Sequence, residues 1–182
     1  MKSPVSYLTD SEFSELPLAE RTLHVARSQV GVKEVPSGSN WGPMVKIFLA
    51  FAGWKSPQPW CAAFIGYCIV QAGGKKSRLW KGLASTWSLY DWAVKTNRLS
   101  RVPKRGDLFV WSTAKGGHTG IVAEVVKKPS GTRTIYYVRT IEGNTNAEGS
   151  REGNAVLGKL RSVASILGVP RSGFVDLGGL DR

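Results

Sequence analysis

Pro59-Trp60-Cys61-Ala62-Ala63-Phe64-Ile65-Gly66-Tyr67-Cys68-Ile69-Val70-Gln71-Ala72 is a Pro-containing loop that gives way to an almost unbroken apolar run, stopped by Gly73-Gly74. The run from Ala62 to Ala72 reads as a buried helix with Cys61 at its N-terminus. Upstream, Met44 to Ala52 reads as a second helix, ended by Gly53, and Val32 to Pro43 as a loop rich in Gly, Ser, Asn and Pro. Leu23, Ala26 and Val30 recur at helical spacing between Leu18 and Val30, where Gly31 ends the pattern. Residues 1–17 form a flexible polar lead-in. Downstream, Ser85-Thr86 caps a helix that runs through Leu89, Trp92 and Ala93 to about Thr96.

The pattern changes after Pro103. Asp107 to Ser112, Thr119 to Val126 and Thr134 to Ile141 are β-branched or aromatic runs broken by Gly, Lys and Pro, which is strand behaviour. Ala155 to Leu160 and Ile166 to Pro170 are weaker strand candidates. Helices first and strands afterwards predict an α+β domain: N-terminal helices packed on one side of a mostly antiparallel β-sheet.

At 182 residues with 42% hydrophobic content, the chain can bury a core without covalent staples. Its two cysteines make no disulfide framework. On one helix, Cys61 and Cys68 would be separated by about 10.5 Å of rise, too far to bridge. Two Cys and two His match no zinc-ligand spacing. The N-terminus lacks the apolar core of a signal peptide, and no stretch is long enough to span a bilayer. The expectation is a monomer made in the cytoplasm that needs another export route for any role outside. The net charge of +12 is uneven: residues 1–60 carry six Lys/Arg against five Asp/Glu, and residues 61–182 nineteen against eight. Residues 75–105 hold nine bases and one acid, Asp91. Such a belt attracts polyanions such as nucleic acid, anionic lipid or the anionic polymers of a bacterial envelope.

A free Cys beside Ala and Phe is more often a small core residue. A thiol at a helix N-terminus, however, faces unpaired backbone N–H groups and the positive end of the helix dipole, which favour a thiolate. Nucleophilic use needs a base. His24 lies mid-helix beside Leu23 and Val25 and reads as structural, whereas His118 follows Gly116-Gly117 and opens a strand, where it can face a cleft. Glu142, in Glu142-Gly143-Asn144 at the end of the next strand, can accept the second ring N–H of a histidine and stabilise the imidazolium. Nucleophile, base and orienter then sit on three adjacent elements. Cys68, between Tyr67 and Ile69, reads as an inert core thiol.

Four blocks, Pro59-Trp60-Cys61-Ala62-Ala63-Phe64, Gly106-Asp107-Leu108-Phe109-Val110, Gly117-His118-Thr119-Gly120-Ile121-Val122 and Ile141-Glu142-Gly143-Asn144, resemble in order and spacing the CHAP family of cysteine amidases and endopeptidases. Gly31-Val32-Lys33-Glu34 and Asn40-Trp41-Gly42-Pro43 resemble the segment that precedes the Cys helix in one branch of it. The resemblance covers roughly residues 18–145 and implies a papain-like fold in a single catalytic domain, residues 18–182. It also implies a peptidoglycan hydrolase. Carried over by position, Cys61 is the nucleophile, His118 the general base, Glu142 its orienter and Asn144 a polar helper. No acidic calcium loop of the kind some relatives carry occurs before Cys61, so no metal and no cofactor are assigned. The Cys61 thiolate would attack an amide carbonyl. The Cys61 backbone N–H and a second donor near Asn40 or Gln58 would meet the oxyanion, and water would hydrolyse the thioester.

Among seven tryptophans, Trp41, Trp60 and Trp111 lie in or beside these blocks and are candidates for lining the groove, with groove and core readings level for Trp60. Trp80, Trp87 and Trp92 read as packing. The leading expectation is a phage-type lysin acting on the wall after holin-type release. An antibacterial effector delivered by a secretion machine and neutralised by an immunity protein is the alternative. A third reading, of another class, is a non-catalytic basic module binding wall polymer or nucleic acid, though no zinc-finger, RNP or Gly-x-x-Gly clamp signature supports specific nucleic-acid recognition.

Overall fold

The switch from period 3.6 to period 2 near Pro103 divides the molecule as read from the sequence. The computed structural model describes residues 9–73, 83, 85–146 and 153–180. Five helices come first: α1 (Asp10–Glu15), α2 (Leu18–Ser28), α3 (Pro43–Phe51), α4 (Cys61–Gln71) and α5 (Thr86–Lys95). Strands β1 (Leu99–Ser100), β2 (Leu108–Thr113), β3 (Gly116–Ser130), β4 (Arg133–Thr145), β5 (Ala155–Ser162) and β6 (Arg171–Val175) follow, with a short helix α6 (Val163–Leu167) before the last. The six strands form one sheet in the order β1-β6-β2-β3-β4-β5, and the pairs are antiparallel.

The alternation of side chains across the pleat builds two cores. On β2, Leu108 and Val110 face a large cluster with α2–α5, while Phe109 looks to the other side with Val122, Val138, Phe174 and Ile166 of α6. Helix α4 is apolar nearly all round and buries nine of its residues, so it is the central helix. Phe48 of α3 meets Phe64 of α4 at 5.4 Å and Trp60 at 5.7 Å between ring centres. Such ring pairs contribute about 0.5–1.5 kcal/mol each beyond the area they bury.

One expectation needs correction, and two short elements are new. Within the lead-in, Asp10–Glu15 is helical, because Thr9 and Glu12 form a capping box at its start; residues 1–8 lie outside the described residues. Ile166 to Pro170 is not a strand. Ile166 belongs to α6, where it closes the second core, and the last strand begins after Pro170, at Arg171. Strand β1 is only two residues long, too short to leave a period, and it pairs with β6 at the sheet edge.

Candidate active site

Cys61 is the first residue of α4. Its preceding residue, Trp60, makes no side-chain cap, so the N–H groups of the first turn are not satisfied by a capping side chain. Trp60 fixes this helix start from inside. It is 0% exposed, and its Nε1–H donates to Glu34 Oε1 at 2.8 Å. Glu34 is held in turn by its own N–H on the Asn154 carbonyl at 2.8 Å. A Cβ at Gly143 would stand 2.7 Å from the Trp60 ring, so β4 can lie against this indole only with glycine there. The blocks around Glu34 and Gly143 therefore serve the placement of Cys61. Of the two readings left level for Trp60, its burial favours the core one.

His118 stands on β3 directly across from Trp111 on β2. It is fully buried, with the rings of Phe109 and Trp111 at 5.9 and 6.1 Å. Its Nε2 lies 2.9 Å from Glu142 Oε2, which leaves Nδ1 for the thiol. Nδ1 itself has no hydrogen-bond partner in this geometry, but Cys61 lies close enough to act on the ring, and catalytic contacts commonly tighten on substrate binding. Burial works against the imidazolium, yet hydrogen bonding and charge from Cys61 and Glu142 more than offset it. The pKa is pushed up to about 9.

Glu142 is equally buried. Besides His118, it accepts Thr140 Oγ1–H on Oε1 at 2.5 Å and a fork from Arg161, Nε to Oε1 and Nη2 to Oε2, both at 2.5 Å. Burial alone would raise its pKa; Arg161 and His118 reverse that and hold the carboxyl at about 2. Room for the carboxylate comes from Gly120, where a Cβ would stand 2.7 Å from Glu142 Cγ. Asn144 is buried two residues further along β4 with φ of 58°, a left-handed conformation that Asn tolerates better than most residues.

Cys61 is 6% exposed and opens on a cleft of about 290 Å³ whose lining includes Trp54, Gln58, Thr86, Trp87 and Lys115. Of the residues expected to bind substrate, only Gln58 lines it among the described residues. Asn40, in a left-handed turn, and Trp41, packed on the helix-side core under Lys46, stand outside it. Trp111 instead packs beside His118. Trp87, expected as packing, is 39% exposed and forms part of the cleft wall. Its placement is rigid: Ser85 caps α5 through the Trp87 N–H, Nε1–H donates to the Thr113 carbonyl at 3.1 Å, and the Arg171 guanidinium covers the ring at 3.9 Å. Trp92 is half-buried against the helix-side core, and Trp80 lies outside the described residues.

His24 is half-buried on α2, edge-on to Phe13 at 5.5 Å, far from this machinery in role. Cys68 is fully buried on α4, where burial pushes its thiol well up. Of the basic belt, Lys75, Lys76, Arg78 and Lys81 lie outside the described residues, and Arg105 is engaged with Glu20 at 2.8 and 2.9 Å. Arg161 carries no motif and lies just past the strand candidate Ala155 to Leu160, so the sequence does not single it out; only the register of β5 against β4 brings it to Glu142.

A thiol on a helix N-terminus, an imidazole and a buried carboxylate on an α+β scaffold define the papain-like class of site. Residues 53–144 match the CHAP domain family, and the chain belongs to that family. Membership implies hydrolase activity of the amidase or peptidase kind on peptidoglycan. Neither the curated proteins nor the solved structures gave a match.

Proposed function

We propose that this protein cleaves an amide bond of the bacterial wall peptide, with Cys61 as nucleophile, His118 as general base and acid, and Glu142 as the group that orients the imidazole. The observation that carries the reading is the file of groups in which His118 stands between Cys61, on the cleft, and a buried, ionised Glu142. In the resting site the His118 imidazolium faces the Cys61 sulfur. The sulfur adds to the scissile carbonyl, and the oxyanion meets the Cys61 N–H at the positive end of α4, with Gln58 on the cleft wall as second donor. His118 gives its proton to the leaving amine as the C–N bond breaks and the thioester forms. The neutral imidazole then takes a proton from water, which attacks the thioester and releases the acid. Trp54 and Trp87 offer flat apolar walls for sugar or peptide, and Lys115 a cation for the carboxylates that wall peptides carry. The net charge of +12 favours approach to an anionic envelope and suits a lysin released onto the wall.

The test is turbidity clearance of purified peptidoglycan by wild type and Cys61→Ala, with mass spectrometry of the fragments to name the bond. Clearance by wild type alone is expected. Equal clearance by both proteins overturns the reading, as does no clearance by wild type that instead binds DNA with a steep salt dependence.

A further inference from the structure

Glu142 faces two cations, not one. His118 reaches it from β3 and Arg161 from β5, while Thr140 of its own strand adds a neutral donor and Cys61 of α4 acts through the imidazole. Lys159, across from Thr140 on β5, is engaged with the Asn146 carbonyl at 2.9 Å. Arg161 lies in register with Val138, and its side chain reaches Glu142 past the face of Phe109, 5.7 Å from the ring centre. The guanidinium is 18% exposed on its side-chain surface and its partner carboxylate 0%. A carboxylate offers about four lone-pair positions. Arg161 takes two, Thr140 one and His118 one, so both the rotamer and the charge of Glu142 are fixed.

We infer that Arg161 is a positioning residue of this site, holding Glu142 ionised and aimed at His118 through the whole reaction cycle. The inference rests on the roles proposed above for Cys61, His118 and Glu142. Its logic is a count of charge. Before acylation, Glu142 is neutralised by the imidazolium. Once His118 has given its proton to the leaving amine, the imidazole is neutral, and a buried carboxylate with no other cation would itself take up a proton. A guanidinium does not release its proton in proteins, so Arg161 keeps the carboxylate charged in that half of the cycle. Proton traffic is thereby confined to substrate, water and His118, and the next proton that His118 accepts still finds a counter-charge. The fork geometry matters as much as the charge, because only a planar group can occupy both oxygens at once.

The experiment uses the full chain and reads Cys61 directly, by the rate of alkylation with iodoacetamide between pH 4 and pH 10. Cys61→Ala serves as the background for Cys68. Hydrolysis rates are followed in parallel. In Arg161→Met the acid limb of the alkylation profile is expected to move up by at least about one pH unit, roughly a tenfold loss of rate on that limb, because burial now lets Glu142 protonate in the working range. Arg161→Lys, which keeps the charge but not the fork, should shift less. In a Glu142→Gln background, Arg161→Met should add little, since the group it acts through is gone. An unchanged profile in folded Arg161→Met, or an equal further loss in the Glu142→Gln background, overturns the inference and leaves Arg161 as fold support. Should Arg161→Met not fold, an unshifted Arg161→Lys profile overturns it instead. If wild-type Cys61 alkylates no faster than an ordinary thiol on the acid side, the catalytic reading itself fails, and the Arg161 inference with it.

Discussion

Replacing Glu142 by Gln tests the site most directly, because the structure gives the size of what is lost. His118 is pushed from 6.5 up to about 9 although burial pulls it down. At about 1.4 kcal/mol per pH unit, that rise is a preference of roughly 3 kcal/mol for the imidazolium. Cys61 and Glu142 supply it together, against the opposing burial. With the charge at 2.9 Å from Nε2 removed, burial is opposed by less and the imidazolium is disfavoured, so the His118 pKa falls. The Cys61 sulfur then loses its charged partner. A fall in kcat/KM of about 10²–10⁴-fold is expected, the range an oriented acid–base group contributes, with the alkaline limb of the profile moving down from near pH 9. The amide also meets the Arg161 fork with only one acceptor oxygen, so a drop in thermal stability accompanies the loss. Initial rates on purified peptidoglycan from pH 5 to pH 10, with imidazole NMR on a chain that has only two histidines, give both readouts. A folded Glu142→Gln protein with the wild-type alkaline limb would refute the reasoning.

Two further outcomes follow from the same geometry. His118 has a folded pKa above its ordinary one, so its contribution to stability is complete below pH 6.5 and is lost as pH rises through about 9; Tm should fall across that window in wild type and fall less in His118→Ala, as differential scanning calorimetry would read. Asp107, held up to about 6 by burial, titrates in both proteins, so the difference between them isolates His118. Trp87→Ala should raise KM about two- to tenfold with kcat nearly kept, the equivalent of 0.5–1.5 kcal/mol of lost ring contact, and a loss confined to kcat would show that the indole does not form a binding wall.

The helix-then-strand order, the start of α4 and the three groups Cys61, His118 and Glu142 were readable because each leaves a local mark: an apolar period, a Pro-rich approach, a glycine-flanked strand end. Tertiary placement leaves none. Trp60 and Trp87 are the same residue type, each at the start of a helix, yet one is sealed by Glu34 and Phe48 and the other stands on the cleft wall under Arg171. The hydroxyl residues beside Trp87 hint at exposure, but what decides each placement is a partner 26 or 84 positions away. Helix α6 was missed for a related reason. Val163-Ala164-Ser165-Ile166-Leu167 is too short for a helical period to show, and what makes it helical is the apolar face of the sheet that Ile166 covers.

The two arginines bear on how much of the chain the site requires. The family match ends at Asn144, just where Glu142 has been delivered to His118, and residues beyond it could be thought merely to finish the sheet. Yet β5 brings Arg161 onto the Glu142 carboxylate, and β6 brings Arg171 onto Trp87, anchored by Asp91 and stacked on Tyr90 at 4.8 Å. One strand thus fixes the charge behind the imidazole, and the other stiffens the wall opposite the thiol. Both supports come from antiparallel neighbours added on opposite sides of β2–β4. A cut after Asn144 would leave Cys61, His118 and Glu142 in the chain but strip Glu142 of the Arg161 guanidinium, whose charge does not change. The buried carboxylate would then follow its surroundings and take up a proton, so the segment after residue 144 belongs to the active site electrostatically as well as to the sheet.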